Sequence, residues 1–188
     1  MGCGRPALSG ADACVVHHPD PQGHVMSLLQ AREGRIVLND LDLTGVRLDG
    51  VDLSHALISG CRLTAATLAR VKLIEAQVTL CFLDRATLDA CDFSGASLKN
   101  CVLAGSLLRE CTFVDCEMVQ VNFLGVHAVQ TRFDHSNLYG SRFIGSLLDR
   151  VSMKDCNLIR VHFDEGHKRD VDFRSSNTAE AVFVEGTS

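Results

Sequence analysis

The stretch CDFSGASLKNCVLAGSLLRE, residues 91–110, decides the fold. Phe93, Leu98, Leu103 and Leu108 stand five residues apart, and two residues before each stands Cys91, Ala96, Cys101 or Ser106. A large apolar residue and a small residue thus recur together in every pentad. Working outward, the large column keeps one frame from Leu38 to Phe183. It holds 30 positions, of which 28 are apolar; Lys168 and Thr178 are the exceptions. The two columns together cover 60 positions of residues 36–185 and contain one charge, Lys168, whereas the other 90 positions contain 34.

A period of five is neither helical nor simple strand alternation. Residues five apart on an α-helix lie about 140° from each other, so the column would smear around its axis. A strand meander needs turn residues at hairpin spacing, and residues 36–185 contain no proline. One large and one small inward residue per pentad suit a backbone that turns a corner every five residues. The phenylalanines set the longer period. Eight of nine lie in the large column, always on alternate pentads: Phe93, Phe113, Phe123, Phe133, Phe143, Phe163, Phe173 and Phe183. A coil of four pentads puts alternate pentads on opposite walls and stacks residues 20 apart. Walls 1 to 4 are centred on Leu38, Leu43, Leu48 and Leu53 and on their successors at steps of 20. Stacked at the strand spacing of about 4.8 Å, seven and a half coils make a rod roughly 35 Å long.

The ends need covers, because open strand edges template further pairing. Pro21-Gln22-Gly23 precedes a helical pattern over residues 24–32, and Gly34 follows it. Val25, Leu28, Leu29 and Arg32 lie at helical spacing, so a short amphipathic helix is expected to lid the first coil. At the other end the pattern degrades at Gly166, Lys168 and Thr178. The expected organisation is an N-terminal segment over 1–35, an all-β four-sided β-helix over 36–185, and a tail over 186–188.

Composition narrows the function. The net charge is −5, from 23 acidic and 18 basic residues, too mild to demand a charged partner. No apolar run is long enough for a membrane helix. Residues 1–35 lack the apolar centre of a secretion signal, so a cytoplasmic location with free thiols is expected for the nine cysteines. Seven cysteines occupy the small column, where they interchange with Ala and Val as small hydrophobes. The others fall in the N-terminal segment. Cys3, Cys14, His17, His18 and His24 make a candidate metal set, with Cys14 and His17 at chelating spacing for a tetrahedral zinc. No phosphate loop, nucleophile elbow or converging catalytic group is readable, so no enzyme is expected.

The pentads Cys91-Asp92-Phe93, Ala96-Ser97-Leu98, Val51-Asp52-Leu53, Ser136-Asn137-Leu138 and Cys156-Asn157-Leu158 follow the consensus A(D/N)Lxx. Over about 150 residues the chain resembles the pentapeptide-repeat family, which implies a right-handed quadrilateral β-helix. The string PALSGADACVVHHPDP resembles a short Cys/His segment that precedes such repeats in some bacterial proteins. Members of the family imitate DNA and bind type II topoisomerases such as DNA gyrase. Those mimics carry acidic surfaces, and the 20 acidic and 15 basic residues of 36–185 are mixed. The leading expectation is therefore a non-catalytic scaffold that binds a protein partner or itself. A gyrase-binding mimic is the alternative, and direct nucleic-acid binding is not expected.

The walls place the expected surface. Wall 4 carries 11 outward charges and wall 3 ten, whereas walls 2 and 1, which adjoin, carry eight and five. Walls 1 and 2 also carry outward apolar residues: Leu57, Leu80, Phe82, Val102, Val119, Leu124, Tyr139, Ile144 and Ile159. A contiguous apolar strip of this kind is expected either to bind a partner or to be covered in part by the N-terminal 35 residues folding back.

Overall fold

The computed structural model describes residue 13 and residues 17–30 and 35–183. Helix α1 spans Pro21–Gln30 and precedes eleven short strands among the described residues. These are β1 (Val37–Asn39), β2 (Arg47–Asp49), β3 (Leu57–Ser59), β4 (Thr67–Ala69), β5 (Gln77–Thr79), β6 (Thr87–Asp89), β7 (Ser97–Lys99), β8 (Leu107–Arg109), β9 (His127–Val129), β10 (Leu147–Asp149) and β11 (His167–Arg169). All pairings are parallel with a register of 20, as in Leu38 against Ile58 and Leu148 against Lys168. Wall 1 holds the four-stranded sheet β1-β3-β5-β7, and wall 3 the seven-stranded sheet from β2 to β11. Walls 2 and 4 are ladders of single bridges, such as Phe82 to Val102 and Asp92 to Thr112. The chain is a right-handed four-sided β-solenoid of about 7 turns.

Two backbone devices turn each corner. The last residue of every pentad takes the left-handed conformation, and 21 of these corner residues are not glycine. Such residues each store roughly 1–2 kcal/mol of local strain, offset by hydrogen bonding between coils. The second device explains the Asp or Asn before the large residue. Its side chain accepts the N–H two residues on, as Asp42 does from Thr44 at 2.9 Å, Asp92 from Ser94 at 2.9 Å and Asn137 from Tyr139 at 3.2 Å. The tight turn then closes with Val46 N–H donating to Leu43 C=O at 3.1 Å.

Wall 1 changes its turn partway along. Up to Leu98 its pentads are three-residue strands, with Val37, Leu57, Gln77 and Ser97 before the large residue. From Met118 they become tight turns joined by single bridges. Asn137, Asn157 and Asn177 now hold the position before the large residue, and each accepts a local N–H at 3.2 Å. The asparagines favour the turn because their side chains satisfy a donor that an extended strand would leave to its neighbour.

Inside, the rings form two ladders. Phe93, Phe113 and Phe133 stack on wall 4 with centroids 4.5 and 5.1 Å apart. Phe123, Phe143, Phe163 and Phe183 stack on wall 2 at 4.5, 5.3 and 5.1 Å. The ladders meet edge to face, as where Phe123 touches Phe133 at 5.8 Å. Leucine fills the N-terminal half less tightly and leaves a cavity of about 30 Å³ with a wholly apolar lining.

Helix α1 lids the first coil through buried Val25 and Leu29. It begins at Pro21, three residues before the expected start, because Asp20 caps it: the Asp20 carboxylate accepts the Gly23 N–H at 2.9 Å. Proline suits the first helical position, where its missing N–H has no intrahelical use. At the far end, Lys168 replaces a buried apolar residue. Its ammonium reaches the Phe163 carbonyl at 3.2 Å, and Phe183 is partly open to solvent.

Candidate interaction surface

Several charges of walls 3 and 4 are paired within the chain. On wall 3 Arg70 grips Asp49, and Arg169 holds Asp149 at 2.6 Å; the Arg169 guanidinium lowers the Asp149 pKa. On wall 4 Arg174 holds Asp172 at 2.7 Å, and Lys154 approaches the same carboxylate at 3.5 Å. Buried Asp134 accepts from the Ser152 hydroxyl, from the Lys154 N–H at 3.1 Å and from Arg132 at 3.3 Å. At the next corner His55 meets Glu75 at 3.2 Å and His135 meets Asp155 at 3.9 Å, both exposed and four coils apart.

The seven described cysteines are free and buried. Their thiols donate to carbonyls of the coil behind, Cys116 to Phe93 C=O at 2.9 Å and Cys156 to Phe133 C=O at 3.0 Å. The Cys101 thiol pushes Cys81 up to about 11, and burial pushes Cys116 to about 12 and Cys156 to about 11. Cys81, Cys116 and Cys156 are thereby held protonated and serve as packing groups.

Of the candidate metal set, Cys3 and Cys14 lie outside the described residues. The rings of His18 and His24 come together, 4.9 Å between centroids, and His18 Nδ1 accepts the Asp20 N–H at 3.1 Å, which in the neutral ring puts the proton on Nε2. Among the described residues no group of three or more His, Cys, Asp or Glu side chains is placed to hold an ion.

All nine apolar residues assigned to walls 1 and 2 stand at the surface. Leu80 is 54 % exposed, Phe82 46 % and Leu124 46 %; Leu57, Val102, Val119, Tyr139, Ile144 and Ile159 are half-buried. Leu80 is also a left-handed corner with φ 56°. Both solvent and backbone conformation disfavour leucine there. Along the following corner, between walls 2 and 3, Gly105, Gly125 and Gly145 leave a bare ridge beside Ala104, Leu124 and Ile144. The sequence reading missed Leu147, 42 % exposed on wall 3 between His127 and His167, with half-buried Val129 on the adjoining coil and Leu107 two coils away. The ten charges of that wall masked it; sorting outward residues by coil as well as by wall separates it from them.

None of the helices among the described residues is long and apolar enough to cross a membrane. Among solved structures, the chain is similar to Rfr23, a pentapeptide repeat protein from the cyanobacterium Cyanothece 51142, at 15 % identity over 86 % of this chain and 97 % of that one, with a TM-score of 0.41. It is similar to QnrB1, a plasmid-mediated fluoroquinolone resistance protein, at 17 % identity over 74 % and 90 %, with a TM-score of 0.38. It is also similar to HetL, involved in heterocyst differentiation regulation in the cyanobacterium Nostoc sp. strain PCC 7120, at 18 % identity over 85 % and 93 %, with a TM-score of 0.30. No curated protein matches the chain. The family model of pentapeptide repeats matches in eight copies over residues 47–85, 86–125 and 129–164. With the five-residue frame, the Asp/Asn turn and the 20-residue coil, that match places the chain in the pentapeptide-repeat family.

Proposed function

We propose that the chain is a non-catalytic scaffold that binds a protein through walls 1 and 2. The observation that carries this reading is the exposed cluster of Leu80, Phe82 and Leu124 on otherwise lightly charged walls. Burying those side chains against a partner gains roughly 25 cal/mol per Å² of apolar surface removed from water. Large aromatic and aliphatic side chains at the centre of a contact carry most of its energy. Combined Phe82→Glu, Leu124→Glu and Ile144→Glu substitution tests it. The thermal transition should stay nearly unmoved, because all three side chains reach solvent, while complexes seen by sedimentation should be lost. A variant that associates as before removes the case for these walls.

Mimicry of duplex DNA toward a type II topoisomerase is the alternative. It would use rows of unpaired carboxylates, whereas Asp49, Asp134, Asp149 and Asp172 of walls 3 and 4 are each matched by an arginine. A supercoiling assay with purified gyrase separates the two readings: inhibition that survives the triple substitution favours the mimic.

A further inference from the structure

Wall 2 has an ordered charge pattern. Its outward charges lie only at its two ends. Asp42, Arg62, Asp84 and Arg85 precede an uncharged centre of Val102, Ala104, Asn122 and Leu124, and Arg142, Asp164, Glu165 and, in the sequence frame, Glu185 follow it. Arg62 and Arg142 precede the large residues Leu63 and Phe143; Asp84 and Asp164 follow Leu83 and Phe163. Counted in coils, the wall has a midpoint between Leu103 and Phe123. About that midpoint the coil of Arg62 is the mirror of the coil of Asp164, and the coil of Asp84 is the mirror of the coil of Arg142. The first of these reflections exchanges Arg62 for Asp164 and Glu165, and the second exchanges Asp84 for Arg142. Reflection also exchanges Phe82 with Arg142, and Ala104 with Leu124.

We propose that wall 2 binds a second copy of this chain, antiparallel, about a two-fold axis through that midpoint. This rests on the reading of walls 1 and 2 as a protein-binding surface and names the occupant of wall 2. The axis lies in the contact plane and runs across the wall, so each residue before a large residue faces the corresponding residue of the mirror coil. Phe82 then lies under the Arg142 guanidinium of the second copy, a cation–π arrangement. Asp84 lies beside the same guanidinium, and Arg62 beside Asp164 of the second copy. Ala104 meets Leu124 in the centre. A parallel pairing would keep each coil against its own twin and would bring none of these opposite charges together. The contact is isologous, so every favourable pair occurs twice.

Two details fit. Among the described residues the Arg142 guanidinium has no hydrogen-bond or ion-pair partner, whereas Arg62, Arg70, Arg169 and Arg174 each have one. The bare corner of Gly105, Gly125 and Gly145 lets a flat face approach beside the apolar centre; Gly125 and Gly145 have nothing within 4 Å of where a Cβ would stand. Six coils at about 4.8 Å give a face about 29 Å long, a small interface, so the dimer is reversible and concentration-dependent.

Sedimentation velocity of the full chain from about 1 to about 100 µM is the test. The wild type should pass from monomer to dimer across that range. Leu124→Glu should stay monomeric with an unchanged melting curve. Asp84→Arg and Arg142→Asp should each weaken the dimer by about tenfold or more, and their combination should recover to within about threefold of wild type. Arg142→Asp breaks no contact within the chain, so its result does not depend on folding. A wild type that stays monomeric overturns the proposal, as does a dimer indifferent to Leu124→Glu or a charge swap that fails to recover. If the wild type is monomeric yet Leu124→Glu abolishes capture of a different protein, the scaffold reading stands and the second copy is excluded. If Leu124→Glu changes neither, both fall.

Discussion

Phe133 stacks on Phe113 with ring centroids 5.1 Å apart and planes within 7°, and it also meets Phe123 and Phe143 edge-on at 5.8 Å. It is the residue at which the two aromatic ladders lock together. Removing the ring opens a cavity that neighbouring coils cannot close, because their backbones are held at strand spacing. Phe133→Ala should therefore destabilise by about 3–5 kcal/mol in a denaturant titration. An effect below about 1 kcal/mol would show that the ladders are not the core.

The left-handed corners carry strain that substitution can release. Ala90 sits at φ 50° and gains little from its methyl group. Ala90→Gly should stabilise by about 0.5–1 kcal/mol, the relief of the left-handed penalty less the greater freedom of the unfolded glycine. Gly125 sits at φ 62° in open space, so a side chain there meets no neighbour. Gly125→Val should still cost about 1–2 kcal/mol from backbone conformation alone. Thermal melts of the two variants should move in opposite directions.

Asp134 should make the rod sensitive to acid. Burial works to raise its pKa, but the Ser152 hydroxyl, the Lys154 N–H and the Arg132 guanidinium outweigh burial and hold it below the ordinary carboxylate value. A carboxylate with a lowered folded pKa adds stability above its unfolded pKa of about 4 and loses it as pH falls through the folded value. Urea midpoints should drop as pH falls below about 4. Asp134→Asn should be less stable than wild type at pH 7 and should lose part of that acid dependence.

The N-terminal cysteines and histidines give a fourth test. Cys3 and Cys14 with two of His17, His18 and His24 supply the donor types of a structural zinc site. Protein purified without chelator should carry about one equivalent of zinc by elemental analysis, and Cys14→Ser should remove it without altering the melt of the repeat. Metal-free protein would leave these residues without that role.

The frame was legible because a buried column tolerates no slip: one residue of shift would carry Asp92 or Arg132 into the place of Phe93 or Phe133. The phenylalanine alternation likewise disclosed the 20-residue coil. The start of α1 was less legible, since Asp20 acts through one local hydrogen bond and not through periodicity. The turn change on wall 1 was written in Asn137, Asn157 and Asn177, but its meaning needs the hydrogen bond from each asparagine to the amide two residues on. Leu80 and Phe82 were placed from wall counting alone. Leu147 was not, because a column of outward residues that mixes His127, Leu147 and His167 has no net character until neighbouring coils are laid side by side.

A uniform coil makes the rod a ruler. Duplicating or deleting 20 residues moves everything beyond the change by one strand spacing and leaves every wall facing as before. Genes for such chains can lengthen in whole notches at little cost to folding. The midpoint symmetry of wall 2 does not survive a single notch placed between Leu63 and Leu83, since Arg62 and Asp84 would then no longer reach Asp164 and Arg142 of a second copy together. Two compensating changes, one on each side of the midpoint, would keep the spacing matched. Coil number is thus a heritable gauge of partner fit, set in steps and not by degrees.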